Sequence, residues 1–97
     1  MTTHKPPHPG EFIRSVYLEP FDISARALAE NLAVSPSTLN RIMTGKSGIS
    51  PEMALRLSKA LGRSAESWLA MQDQYDLWQA KKTAKLDQVR HVVFEVA

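Results

Sequence analysis

A stripe of polar side chains on one predicted helix carries the residue types that read DNA. The helix is predicted over residues 36–44, and at about 100° per residue its polar side chains fall on one side: Ser37, Asn40, Arg41 and Thr44. Arginine pairs with guanine, asparagine with adenine, and the threonine methyl packs against thymine. Thr38 lies at the edge of this stripe, and Leu39, Ile42 and Met43 lie opposite. The pattern indicates a helix that buries one face and offers the other to DNA bases.

The segment before this stripe predicts a second helix set at a sharp angle. Ser24 is a good N-cap for a helix over residues 25–32. Ser35 is likewise a good N-cap for the next helix, in which Pro36 occupies the first position. Because only Ala33 and Val34 separate the two helices, they must cross sharply, as in a helix-turn-helix motif.

The charge around the motif also favours contact with phosphates. From Asn31 to Pro51 there is no acidic residue, while Arg41 and Lys46 lie inside that segment. The alternative is an ordinary amphipathic helix whose polar face is only solvated. Two adjacent capped helices joined by a short turn favour the DNA-binding interpretation.

Composition narrows the class of protein. Ninety-seven residues make one domain, and a net charge of +2 leaves DNA binding to local charge and shape. Cysteine is absent, and the only histidines, His4, His8 and His91, have no acidic cluster around them, so we predict no metal site and no cofactor. Nucleophile, base and phosphate-loop patterns are missing, which argues against an enzyme. The sequence shows no signal peptide and no apolar run long enough to span a membrane, so we expect a cytoplasmic protein that is associated with the nucleoid when it is bound to DNA.

The rest of the chain predicts a helical domain between two short end segments. Residues 1–7 are expected to be a flexible lead-in, residues 8–84 the domain, and residues 85–97 a tail. Further helices are predicted from Pro9 to about Leu18, from Pro51 to about Leu61, and for about 20 residues after Ser64. The aromatic stripe of the last helix is assigned to the core or an interface, with base stacking as the alternative: Trp68, Tyr75 and Trp78. The basic end of the same helix is assigned to a solvated surface, with phosphate contact as the alternative: Lys81, Lys82 and Lys85.

The tail alternates in hydrophobicity from Val89 to Val96, with Val92 and Phe94 on one face, which is a strand pattern. A lone strand in a helical domain needs a partner strand from another chain, either a second copy or a different protein. The alternative is a tail that packs along the domain or remains disordered.

Several segments outside the generic motif resemble HigA-type antitoxins, also called VapI or plasmid-maintenance antidote proteins, of the Cro/CI-like (XRE) helix-turn-helix class. The resemblance covers about residues 8–80 and rests on these stretches: His8-Pro-Gly-Glu11, Leu18-Glu-Pro20, Leu39 to Lys46, Ser50 to Gly62, Trp68-Leu69 and Tyr75-Asp-Leu-Trp78. It implies an all-α, five-helix Cro/CI (lambda-repressor-like) DNA-binding domain, to which the tail adds a candidate short C-terminal β-strand.

The resemblance also implies a function and a set of contact residues. Such proteins bind an operator in their own promoter as homodimers and neutralise a HigB toxin, a RelE-like mRNA interferase. The positions that face bases correspond to Ser37, Thr38 and Arg41, with Pro36 and Asn40 alongside. Positions that usually touch phosphate correspond to Ser24, Arg26, Ser35, Thr44 and Lys46. One departure is Ala33, because that position of the turn is often glycine, and a left-handed alanine costs on the order of 1 kcal/mol.

From these features we expect a homodimer that places two recognition helices in successive major grooves, about 34–36 Å apart, on a near-palindromic operator. Two alternatives remain open. One is a stand-alone XRE-family repressor without a toxin, and the other is a helical protein-interaction module without a DNA role.

Overall fold

The computed structural model describes residues 5–96; residues 1–4 of the predicted lead-in, including His4, and Ala97 lie outside the described residues. Within them the chain forms five α-helices, as the sequence predicts. Their bounds are α1 Pro9–Ile13, α2 Ala25–Leu32, α3 Pro36–Met43, α4 Pro51–Leu61 and α5 Ala65–Thr83. None of these helices is long and apolar enough to cross a bilayer. The expected all-α, five-helix architecture is therefore confirmed for residues 5–96.

Serine N-caps begin four of the five helices. The Oγ atoms of Ser24, Ser35, Ser50 and Ser64 each accept a hydrogen bond from the main-chain N–H three residues later, at 3.0–3.1 Å. Each bond satisfies one of the free amides of a first helical turn. Because these contacts are local, the sequence alone could locate the starts of α2 and α3.

One core joins all five helices. The side chains of Ile13, Leu39, Leu57 and Trp68 are almost fully buried, and they come from α1, α3, α4 and α5. Leu28, Ala29 and Leu32 add the inner face of α2. The indole Nε1 of Trp68 donates to the Gly62 carbonyl at 3.1 Å, so its polar group is satisfied where α4 ends. The core thus fixes α2 and α3 relative to the rest of the domain.

The first helix departs from the predicted regular helix. After Ile13 the chain continues as a π-helical turn over Arg14–Leu18 and a 3₁₀ turn over Glu19–Phe21. The wider π turn brings residues five apart onto one side. Leu18 therefore lies in the core with Ile13, whereas Val16 is 40% exposed although its spacing of three and four residues from Ile13 and Phe12 predicts an inward position.

The tail does not form the predicted strand. Residues 84–96 are exposed and contain no helix or strand, and Val89 N–H donates to the Leu86 carbonyl at 2.9 Å in a local turn. A strand requires a hydrogen-bonding neighbour, and the described helices of this chain offer no sheet edge. The single chain therefore contains no strand in the described part of the tail, and pairing with a strand of another chain stays a prediction. The alternating apolar side chains remain unpartnered, and Phe94 is 84% exposed.

Candidate DNA-reading surface

A left-handed turn sets the angle between α2 and α3. Ala33 ends α2 with φ 57° and ψ 43°, which is the left-handed conformation that the family resemblance implies at this position. Its N–H donates to the Glu30 carbonyl and the Val34 N–H to the Ala29 carbonyl, both at 3.1 Å. These bonds close the C-terminus of α2 and turn the chain directly into the Ser35 cap.

The two faces of α3 separate as the sequence predicts. On the inner face Leu39 is 1% and Ile42 3% exposed, and Met43 is also buried. The polar residues assigned to base or phosphate contact on this helix are all exposed: Pro36, Ser37, Thr38, Asn40, Arg41 and Thr44. Because the buried face is locked in the core, the outer face is presented by a rigid element, as groove readout requires.

The start of α2 adjoins the outer face of α3. A shallow depression on the surface is lined by Ala25 and Arg26 from α2 and by Pro36, Ser37 and Asn40 from α3. Arg26 is exposed there, and Ser24 immediately precedes it as the α2 cap. The predicted phosphate contacts of α2 and the predicted base contacts of α3 therefore share one side of the domain.

Two further predicted phosphate contacts lie where α3 ends. The Thr44 hydroxyl donates to the Asn40 carbonyl at 2.8 Å, and the Lys46 N–H donates to the Arg41 carbonyl at 2.8 Å. Gly45 between them has a positive φ of 76°. The loop is thus folded back onto the helix, with the side chain of Lys46 exposed.

Side chains from α4 and α5 support this surface from behind, and the sequence analysis missed them. Arg56 Nη1 donates to the Leu32 carbonyl at 2.8 Å and to the Ala33 carbonyl at 3.3 Å. Gln72 is buried; its Oε1 accepts from Ile49 N–H at 3.0 Å, and its Nε2 donates to Asp76 at 2.9 Å. Arg56 holds the turn before α3, and Gln72 holds the loop after it.

The His-Pro-Gly-Glu segment fixes α1 against the recognition helix. His8 is buried, and its Nδ1 accepts from Gly10 N–H at 3.0 Å as the N-cap of α1. A Cβ added at Gly10 would overlap the Ile42 carbonyl and lie 2.8 Å from Met43 Cα, so only glycine allows this approach. Burial lowers the pKa of His8, while the carboxylates of Asp76 and Glu11 act in the opposite direction. His8 is therefore a structural cap in its neutral form.

The aromatic side chains of α5 pack against neighbouring side chains, and Tyr75 also borders the end of α3, where it lines a pocket with Thr44 and Gly45. Trp68 is fully buried, and Tyr75 packs edge-on against His8 with ring centroids 4.9 Å apart. Trp78 lies under the ammonium group of Lys82, 3.7 Å from the ring centroid. These contacts assign the stripe to packing. Among residues 5–96, no group of three potential metal ligands comes together.

Fold and surface together define a helix-turn-helix domain of the Cro/CI class. The helix-turn-helix family HTH_3 matches residues 16–68, which span the end of the first helix through the start of α5. The chain belongs to this family and, within it, to the HigA-type antitoxins, on the similarities that follow.

Three relatives establish the similarity. Virulence-associated protein I of Dichelobacter nodosus is 49% identical over 75 residues, covering 77% of this chain and 69% of that protein. The structure of antitoxin GraA matches with a TM-score of 0.86 at 35% identity, covering 93% of this chain and 100% of GraA. The structure of Pseudomonas aeruginosa antitoxin HigA with the higBA promoter matches with a TM-score of 0.78 at 40% identity, covering 95% of this chain and 99% of HigA.

Proposed function

We propose that this chain is the antitoxin of a type II toxin–antitoxin pair, that it represses its own operon, and that it neutralises a HigB-like mRNA interferase. The observation that carries the DNA-binding part is the polarity of α3. Leu39 and Ile42 are buried, while Ser37, Thr38 and Arg41 are exposed on the opposite side. The related HigA structure contains promoter DNA, which supports the same role for this surface.

The proposed roles of the contact residues follow from their positions. Arg41, at the middle of the exposed face, supplies most of the direct base readout, with Ser37 and Thr38 beside it and with Pro36 and Asn40 at the margin. Ser24, Arg26, Ser35, Thr44 and Lys46 lie at the ends of α2 and α3, where they orient the domain on phosphates. Because the net charge is only +2, sequence-independent attraction is weak and the local contacts dominate.

A homodimer is the form in which this domain would bind a near-palindromic operator. Two copies related by a two-fold axis would place two α3 helices one DNA turn apart, about 34–36 Å. The tail supplies a surface for a second protein chain, because Val92, Phe94 and Val96 are exposed and recur at every second residue along a backbone that forms no strand within the chain. This segment is proposed as the dimer or toxin contact.

Neutralisation of a toxin is supported by the relatives named antitoxins, which match over nearly the whole described chain. Toxin inhibition requires a protein surface other than the DNA-reading face if both activities coexist. The candidates are the first helix, the lead-in before it and the tail; of these, the first helix, residues 5–7 and the described residues of the tail lie outside the α2–turn–α3 surface. A chain of this family with no neighbouring toxin gene would instead act as a stand-alone repressor.

The DNA part of the proposal is tested with duplexes selected from a randomised library by the full-length chain. Mobility shifts at two salt concentrations should show a selected duplex binding at least tenfold more tightly than a scrambled one. Arg41→Ala should remove most of that preference. A chain that enriches no sequence is the interaction module, and the repressor proposal fails.

The toxin part is tested by growth. Induction of the adjacent open reading frame, expected to encode a basic protein of about a hundred residues, should arrest growth, and co-expression of this chain should restore it. Deletion of residues 88–97 should abolish dimerisation or toxin binding. If both survive the deletion, the tail has neither role, and if no growth arrest occurs, the chain has no toxin partner there.

A further inference from the structure

Three hydroxyl groups cluster where α3 begins. Ser35 Oγ lies 2.8 Å from Thr38 Oγ1 and 3.2 Å from Ser37 Oγ, and it also accepts from the Thr38 N–H at 3.1 Å. A serine hydroxyl has one donor and two acceptor positions. Its three partners therefore occupy the whole hydrogen-bonding capacity of Ser35.

This cluster determines which group of Thr38 is free. The Cβ of threonine carries a hydroxyl and a methyl group, and here the hydroxyl is held against the cap at the N-terminus of α3. Thr38 as a whole is exposed on the DNA-reading face. The methyl is the substituent of Thr38 that the cap does not engage, and it is the apolar group that this residue can offer to a base edge.

We infer that Thr38 reads DNA through its methyl group, which packs against the C5-methyl of a thymine in the major groove, and that Ser35 is the positioning residue that orients it. This inference rests on the proposed function, since it assigns a chemical specificity to a proposed base contact. Thymine is the only natural base pair member with a methyl at this edge. The same geometry occupies the Ser35 hydroxyl, so the phosphate contact proposed above for Ser35 is limited to its main chain.

The test replaces each thymine of a library-selected duplex with deoxyuridine, which removes only the C5-methyl. We expect one position in each half-site at which the wild-type chain loses about fourfold in affinity, the effect of ~0.8 kcal/mol for one buried methyl. A duplex with a 5-methylcytosine·G pair in place of that T·A pair should bind more tightly than a duplex with an unmethylated C·G pair there, because the C5-methyl is restored.

Two substitutions separate the methyl from the hydroxyl. Thr38→Val removes the hydroxyl but places a methyl at both substituent positions of Cβ, so a methyl faces the groove without the orienting bond to Ser35 and the deoxyuridine penalty should remain. Thr38→Ser keeps the hydroxyl and removes the methyl, and it should bind the thymine and uracil duplexes equally. Thr83→Ser is the matched control, because Thr83 is exposed at the end of α5 and belongs to no proposed DNA contact, and it should leave the penalty unchanged.

The role of Ser35 is measured by the same ratio of affinities. Ser35→Ala should reduce the preference for thymine over uracil as well as the melting temperature, and Ser35→Thr, which retains the cap hydroxyl, should restore the preference. A lower melting temperature with an unchanged preference would show that Ser35 is only a helix cap.

The failures are distinguishable. If a selected duplex binds tightly but no thymine-to-uracil change weakens it, or if Thr38→Ser retains the full penalty, the methyl readout is wrong while the DNA-binding function stands. If no duplex is enriched at all, the proposed function fails and this inference fails with it.

Discussion

Arg56 on α4 holds the C-terminus of α2, since its Nη1 donates to the main-chain carbonyl of Leu32 at 2.8 Å. The last carbonyls of a helix lack partners within the helix, and a cation there also interacts favourably with the helix dipole. The same nitrogen reaches the Ala33 carbonyl at 3.3 Å, so one side chain connects α4 to the turn that sets the angle of α3.

Arg56→Ala should lower the free energy of unfolding by about 1–3 kcal/mol, because carbonyls near the turn lose a charged donor. Urea denaturation of the two proteins measures the change. Glu52→Ala is the matched control: it removes the exposed ion pair to Arg56, with N···O at 3.7 Å, but leaves the carbonyl contacts. Its cost should be at most about 1 kcal/mol. Equal losses in both variants would show that the ion pair, and not the turn contact, stabilises the domain.

Ala33→Gly should raise the free energy of unfolding by about 0.5–1 kcal/mol, because Ala33 has a positive φ of 57° and glycine adopts this conformation without steric strain. The control is Ala27→Gly within α2, where φ is helical, and it should cost about 1 kcal/mol. The midpoint of thermal or urea unfolding should therefore rise for Ala33→Gly and fall for Ala27→Gly, although the two alanines are only six residues apart. A destabilised Ala33→Gly variant would contradict the left-handed turn.

The parts of this structure that the sequence predicted depend on short-range rules. The serine caps bond three residues ahead, and the buried and exposed faces of α3 follow from helical periodicity alone. The left-handed conformation of Ala33 is what the family resemblance implies, whereas the two-residue spacing alone predicts only a sharp crossing of the two helices.

The missed parts depend on residues far apart in sequence. Arg56 bonds to a carbonyl 24 residues away, and Gln72 to an amide 23 residues away, so neither contact can be deduced from local propensity. His8 was weighed only as a metal ligand, although its position directly before Pro9 and Gly10 is that of a helix cap. Whether the tail becomes a strand likewise depends on a partner outside the chain and not on the alternation itself.

Gly10→Ala should destabilise the domain by about 3 kcal/mol or more, because its new Cβ would overlap the backbone of α3 at Ile42. Gly45→Ala is the control for glycine removal near the same helix. No atom lies within 4 Å of a Cβ added there, so only its positive φ of 76° adds a cost, about 1 kcal/mol. Chemical denaturation compares the two, and a Gly10→Ala variant no less stable than Gly45→Ala would exclude close packing of α1 on α3.

Stability should fall below about pH 6.5, the ordinary histidine pKa, because burial lowers the pKa of His8 in the folded state. Between the two pKa values the unfolded chain binds more protons than the folded chain. The contribution of His8 to the free energy of unfolding is therefore complete above pH 6.5 and is lost as the pH decreases toward the pKa of His8 in the folded state. His8→Asn keeps a capping oxygen but does not titrate. Its free energy of unfolding should therefore change less between pH 7.5 and pH 5.5 than that of the wild type. If wild type and variant show the same pH dependence, His8 is not the group responsible.

Lys46→Ala and Arg41→Ala should weaken DNA binding in different ways. Lys46 is exposed on the loop that follows α3, so its loss should weaken binding to selected and scrambled duplexes alike and reduce the slope of log K against log salt by about 1. Arg41 is exposed on the face of α3, so its loss should cost about 1–3 kcal/mol on the selected duplex only. Titrations at several salt concentrations on both duplexes measure the two effects. If Arg41→Ala weakens both duplexes equally, Arg41 contacts phosphate, and α3 lies in the groove in a different register from the one proposed.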